Sequence, residues 1–182
     1  MKTKIDYSVG QKIVHWLMAV LITLDLFIAQ KFGGVMEEVD RLDSRSDHGS
    51  MGTIVAILFV IRLFLRYRNG APALPSTMPN WQAKAAGLAH FLLYFFIGCL
   101  ILSGIATAVN ATDPINLFGA FDITLGQSDG ATFTFIRQFH EFATNAVITL
   151  VIIHVLAAFY HLFMTSDTTT QKMAKFWKSE NT

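Results

Sequence analysis

Four long apolar runs constrain the fold of this chain more than any other feature of its sequence. They cover about residues 13–30, 48–67, 85–109 and 139–164, and each is long enough to cross a bilayer as an α-helix. Hydrophobic residues make up 53% of the 182, more than one soluble core of this size can bury. The first run lacks a convincing small-residue cleavage site after it, so it is interpreted as a retained span. The sequence predicts a single all-α membrane domain over residues 1–182, built as a bundle of four transmembrane helices.

The basic residues predict the orientation of this bundle. Ten of them fall at the chain ends or around the loop between the second and third runs, and four fall on the opposite side. By the positive-inside rule, both termini are expected in the cytoplasm. The outer face combines its four cations with nine acids and is therefore net negative. The ten are Lys2, Lys4, Lys12, Arg62, Arg66, Arg68, Lys84, Lys172, Lys175 and Lys178; the four are Lys31, Arg41, Arg45 and Arg137; the acids are Glu37, Glu38, Asp40, Asp43, Asp47, Asp113, Asp122, Asp129 and Glu141.

Four histidines fall at two depths of the predicted bundle. His15 lies near the cytoplasmic face, because the first span runs from inside to outside. The second and fourth spans both begin outside, so His48 and His140 lie near the outer face. His154 follows His140 by fourteen residues, on the same helical stripe and about 21 Å nearer the cytoplasm. Depth therefore pairs His15 with His154 and His48 with His140.

Two facing imidazoles at one depth form a bis-axial haem site. Neutral imidazole nitrogens bind haem iron, and a four-helix bundle can present them from facing helices. The single cysteine, Cys99, cannot supply a C-x-x-C-H attachment motif, so two non-covalent b haems are predicted. The alternative is that each histidine is an ordinary hydrogen-bonded polar residue, which leaves the matched pairs of costly intramembrane groups without a reason.

Three other polar residues lie within or beside the spans. Arg62 lies at the depth of the inner pair and Arg137 at the depth of the outer pair, where a guanidinium suits a haem propionate. The alternative for Arg62 is that it extends to the inner interface with its basic neighbours. Asp25 lies in the middle of the first span, where a carboxylate is expensive. It could relay protons or bond to a neighbouring helix, and the sequence does not choose between these roles.

The chain resembles the bacterial cytochrome b561 family over nearly its whole length, from about Tyr7 to Met164. The residues that carry the resemblance are IVHW, DHGSMG, VIRLFLRY, GLAHFLLYFFIGCLILSG, FHEFATN and IIHVLAAFYH. The family implies that His15 and His154 ligate an inner haem b, and that His48 and His140 ligate an outer one. It also implies a bacterial inner-membrane protein that exchanges electrons between the quinone pool, with ubiquinone or a related quinone, and a donor or acceptor at the outer face. Some members resemble superoxide:quinone oxidoreductases.

Two histidines remain beyond the four expected ligands. His90 and His161 both face the inner half of the bundle, where they are candidates for a quinone site, since an imidazole can bond to a quinone carbonyl and pass a proton. Lys12 and Trp16 are weaker candidates for the same region. Ordinary interfacial polarity at two helix ends is the alternative.

The expected function is therefore transmembrane electron transfer, with lipid and quinone as partners and no nucleic acid. The outer partner is expected to be superoxide or a basic soluble redox protein, and the net negative outer face disfavours steering of the superoxide anion. One alternative is a cytochrome b anchor subunit of a larger dehydrogenase or hydrogenase complex. Another is a metal or haem transporter, which leaves the inner histidine pair unexplained. The outer segment 110–134 is expected to be a lid over the outer haem or a disordered connection.

Overall fold

The computed structural model describes residues 6–30, 37–126, 130–165 and 167–176. Four long helices dominate it: α1 (Val9–Gln30), α2 (Glu38–Asn69), α3 (Asn80–Val109) and α4 (Gly130–Phe159). Each is long and apolar enough to cross a membrane, which confirms the predicted four-span fold class. A π-helical turn (Tyr160–Met164) continues α4, and a short helix α5 (Gln171–Ala174) follows it. Of the charges counted above, Lys2, Lys4, Lys31, Asp129, Lys178 and the side chain of Glu38 lie outside the described part.

Local sequence signals fix where α1 begins and where α2 ends. Ser8 and Gln11 form a reciprocal cap at the start of α1, in which the Gln11 amide donates to Ser8 Oγ (3.3 Å) and the Ser8 amide donates to Gln11 Oε1 (3.1 Å). Gly70 ends α2 with a φ of 67°, a left-handed conformation that glycine adopts without steric cost. Gln11 Nε2 also donates to the Gly70 carbonyl (3.0 Å), which places the start of α1 beside the end of α2.

The helices pack as two pairs, α1 on α2 and α3 on α4. Val14, Met18 and Val55 form the buried core of the first pair. In the second pair, Ser103 of α3 and Ala143 and Val147 of α4 are buried. Many large apolar side chains elsewhere on the helices remain exposed, which is the pattern expected when lipid covers the outside of a bundle.

Helices α2 and α4 begin about ten residues before the predicted spans at 48 and 139. Polar residues mark the end of the apolar membrane span, but the helix can continue through them outside the bilayer. The outer part of α2 supports the loop that follows α3. In that loop Asn116–Leu117 (β1) pairs antiparallel with Phe121–Asp122 (β2). The amides of Asn116 and Phe118 donate to Ser46 Oγ (3.1 Å) and Ser50 Oγ (2.8 Å) of α2. The described part of the segment predicted as a lid or a disordered connection is therefore folded against α2, on either side of His48.

Candidate functional site

The structure brings the predicted histidine pairs together at two places in the bundle. The inner pair is His15 of α1 with His154 of α4, whose ring centres lie 6.2 Å apart with 74° between the ring planes. The outer pair is His48 of α2 with His140 of α4, also 6.2 Å apart, with 79° between the planes. The pairs are named for the predicted orientation. In both, α4 supplies one imidazole and the α1–α2 pair supplies the other.

A ring separation of this size fits a metal ion held between two imidazoles. With nitrogen–metal bonds of about 2 Å and each ring centre about 1 Å behind its nitrogen, the two centres of a bis-imidazole site lie about 6 Å apart. The observed 6.2 Å at both pairs agrees with that distance. The donor set therefore fits haem iron, for which neutral imidazole is a common axial ligand.

Polar side chains hold both rings of the outer pair in position. Asp25 Oδ1 of α1 lies 2.8 Å from His48 Nδ1. A carboxylate can only accept, so Nδ1 carries the hydrogen and the Nε2 lone pair is left for a metal. Ser103 Oγ of α3 lies 2.9 Å from His140 Nδ1 and donates its single hydrogen to the Cys99 carbonyl (2.7 Å). It therefore accepts from His140, so Nδ1 carries the hydrogen of this ring too and Nε2 carries its lone pair.

A glycine makes room for the ring of His140. A Cβ added at Gly104 of α3 would lie 3.1 Å from Cε1 of that imidazole, which is closer than side chains normally approach. The position next to Ser103 is therefore left without a side chain where the outer ligand packs against α3. The glycine and the serine together fix both the distance and the rotation of His140.

The surroundings of the inner pair are aromatic and basic. Trp16 contacts His15 edge to face, and His90 contacts His154 in the same way; in both contacts the ring centres lie 5.4 Å apart. His90 Nδ1 donates to the Ala86 carbonyl (2.7 Å). Arg62 stacks over Tyr94, 5.6 Å from its ring centre, near enough for its charge to act on both imidazoles of the inner pair. The sequence-predicted Arg62 and His90 thus both lie at the inner site.

His161, the second quinone candidate, belongs to a separate polar cluster just beyond α4. Its Nδ1 lies 2.6 Å from Asp167 Oδ2, which also accepts from Thr165 Oγ1 (3.0 Å). Burial acts to raise the pKa of Asp167, but hydrogen bonds from Thr169, His161 and Thr165 outweigh it and lower the pKa to about 2. The Asp167 side chain is only 15% exposed. The cluster holds His161 in one orientation at the end of the span.

The other sequence candidates have identifiable partners. Arg137 forms an exposed ion pair with Glu141 (3.1 Å) one helical turn away. Lys12 is 2% exposed and its ammonium group binds Asp6 (2.8 Å) and the Lys175 carbonyl. Trp16 Nε1 donates to the Met173 carbonyl (3.2 Å). Lys12 and Trp16 therefore join the start of α1 to the C-terminal segment, beside the inner pair.

Sequence reasoning does not identify three residues of these sites, Ser103, Gly104 and Asp167, and it leaves Asp25 without an assigned partner. The depth argument could have found Ser103, since α3 runs outward and a residue thirteen positions after His90 lies near the level of the outer pair. Asp167 carried no signal, because it lies in the polar segment after the last span.

Comparison with known proteins identifies the family of this chain. The family model for prokaryotic cytochrome b561 matches residues 6–175. Cytochrome b561 homolog 1 of Escherichia coli (strain K12) is 26% identical over 169 residues, which covers 92% of this chain and 96% of the relative. A protein of Yersinia pestis named probable superoxide oxidase CybB is 22% identical over 173 residues, covering 92% and 94%. The chain belongs to the prokaryotic cytochrome b561 family of haem b proteins and is a multi-pass bacterial membrane electron carrier.

Proposed function

We propose that this chain is a di-haem b carrier of the bacterial inner membrane that exchanges electrons between the quinone pool and a partner at the outer face. The inner pair would ligate one haem and the outer pair the other. The observation that carries the proposal is the repeated 6.2 Å separation of two imidazole pairs, at two depths along one stripe of α4. Their axial offset of about 21 Å covers most of the hydrocarbon core.

The protein's part in this function is to bind and orient. When bound, haem supplies a one-electron redox centre. Asp25 and Ser103 hold the outer ligands with the hydrogen on Nδ1, so that Nε2 would face the iron, and the surrounding apolar helices would limit the access of water. Arg62 and Arg137 are proposed to pair with haem propionates; Arg137 would then exchange its exposed contact with Glu141 for the propionate.

The proposed quinone site lies at the cytoplasmic end, near His90 and His161. Reduction of a quinone to a quinol takes two electrons and two protons, so titratable groups near the aqueous edge suit it. His161 is held by Asp167 (2.6 Å), which would fix the imidazole so that Nε2 can bond to a bound quinone. His90 contacts His154, a proposed inner ligand, so a quinone bound at His90 would lie beside the inner haem.

Superoxide is the first outer donor to test, since a relative of similar length carries the name of a superoxide oxidase. Two superoxide anions would each give up one electron, release two molecules of oxygen and reduce one quinone with two protons. The net negative outer face provides no long-range attraction for this anion. A basic soluble redox protein is the alternative donor that the surface charge favours.

The proposal is tested by counting haem in the purified protein with a pyridine haemochrome assay and recording the oxidised and dithionite-reduced spectra. Two low-spin b haems per chain are expected. One haem per chain would overturn one of the two pairs, and none in a folded, haem-replete preparation would overturn the proposal. Stoichiometric copurification of another subunit would support the anchor-subunit alternative instead.

A further inference from the structure

The outer pair differs from the inner pair in having a carboxylate in direct contact with a ligand. Asp25 contacts His48 at 2.8 Å, and its side chain is 14% exposed. Asp25 belongs to α1, the helix that also supplies His15 of the inner pair. The two residues lie about 15 Å apart along the helix axis. Among the described residues, no hydrogen bond reaches a ring nitrogen of His15 or His154.

The charged side chains nearest the two pairs have opposite signs. Asp25, whose side chain is 14% exposed, contacts His48 of the outer pair, whereas the charge of the exposed Glu141 is offset by its ion pair with Arg137. Arg62 acts on both inner imidazoles, and its neighbour Arg66 acts on His90. Because Asp25 is largely buried between helices, its charge is poorly screened, and its effect on a redox centre bound there would be larger than in water.

We propose that Asp25 is a positioning residue that lowers the reduction potential of the outer haem below that of the inner haem. This inference rests on the proposed function, since it needs haem bound at His48 and His140. The reduced form carries one more electron than the oxidised form, and a carboxylate beside the ligand disfavours the added charge. A hydrogen bond from Nδ1 to a carboxylate also makes imidazole a stronger donor to the metal, which favours the oxidised state.

His48 is the one proposed ligand of the four that contacts a carboxylate, that of Asp25. His140 has a neutral hydroxyl, Ser103, at its Nδ1, and the inner ligands have an arginine in range. Removing the charge of Asp25 should therefore change one potential and leave the other in place. Electrons entering at the outer face would then pass downhill toward the cytoplasmic face, where the quinone site is proposed.

The test is a spectroelectrochemical titration of the purified holoprotein with Asp25→Asn, which keeps the size of the side chain and removes its charge. Asp47→Asn is the matched control, because Asp47 is exposed on the same face and adjacent to His48 in sequence. The wild type should show two one-electron transitions. In Asp25→Asn the lower of the two reduction potentials should rise by at least about 59 mV, which corresponds to a tenfold change in the ratio of oxidised to reduced haem. Asp47→Asn should move neither.

Several outcomes would overturn the inference or support it separately from the proposed function. Two retained haems with unchanged potentials in Asp25→Asn would overturn it, as would a rise of both potentials by the same amount. If Asp25→Asn loses one haem, Asp25→Glu provides the second measurement. Retention of both haems in Asp25→Glu with a low outer potential supports the role of the carboxylate, and loss in both variants overturns it. A wild-type protein without haem would instead refute the proposed function.

Discussion

The inner and outer histidine pairs share one geometry and differ in what surrounds it. Both have ring centres 6.2 Å apart and nearly perpendicular planes, and α4 supplies one ligand to each from the same stripe. The outer rings are held by Asp25 and Ser103, whereas the inner rings contact aromatic and basic side chains. Helix packing thus sets the separation of the ligands, and side chains from other helices make the two places chemically different.

The largest expected effect comes from breaking either pair. His15→Ala and His48→Ala should each reduce the haem content from two per chain to one, because a single imidazole leaves one axial position of the iron empty. His161→Ala is the control and should keep both haems, since its partner is Asp167. The haemochrome assay measures all three. Equal loss of both haems in either variant would mean that the pairs are not independent sites.

A second change should affect the outer pair alone. Gly104→Ala places a Cβ 3.1 Å from the His140 ring, and such overpacking costs about 1–3 kcal/mol. The expected result is at least a tenfold loss of haem affinity at the outer site, with the inner site unchanged. Gly87→Ala on the same helix meets nothing within 4 Å and serves as the control. Unaltered spectra and haem retention in Gly104→Ala would show that the close approach does not hold the ligand.

The rate of electron entry at the outer face should depend on ionic strength. The outer face is predicted to be net negative, so salt should weaken its repulsion of superoxide and raise the rate of electron entry severalfold. With a basic redox protein as donor, the same salt should lower the rate. Stopped-flow measurements of haem reduction at low and at high ionic strength show whether salt raises or lowers the rate. A rate independent of salt for both donors would exclude a role for surface charge.

The smallest expected effect concerns the cluster beyond the inner pair. Asp167 has a pKa of about 2, below the usual value near 4. Its contacts therefore stabilise the folded state above about pH 4 and lose that effect as the pH falls through about 2. Asp167→Asn should destabilise the protein by about 1–2 kcal/mol at neutral pH, and the difference from wild type should shrink on acidification. Thermal unfolding between pH 6 and pH 3 checks this. A difference that grows in acid would contradict it.

The sequence predicted the parts of this molecule that depend on length, hydropathy and depth. The four spans followed from apolar runs, and the histidine pairs followed from charge asymmetry and axial rise. The contact between Asp25 and His48 could not be predicted, because it depends on how α1 is rotated about its own axis against α2. The hairpin at Asn116–Asp122 escaped notice because two-residue strands show no alternation. The contact of His161 with Asp167 depends on the π-helical turn, which shifts the register at the end of α4.

The packing of the helices as α1–α2 and α3–α4 has a consequence for how the protein is assembled. Each proposed haem site takes one ligand from each half of the chain, so neither half can complete a site alone. Binding energy at these sites is then also association energy between the halves. Without haem, the two helix pairs should therefore be held together less tightly than in the haem-bound protein.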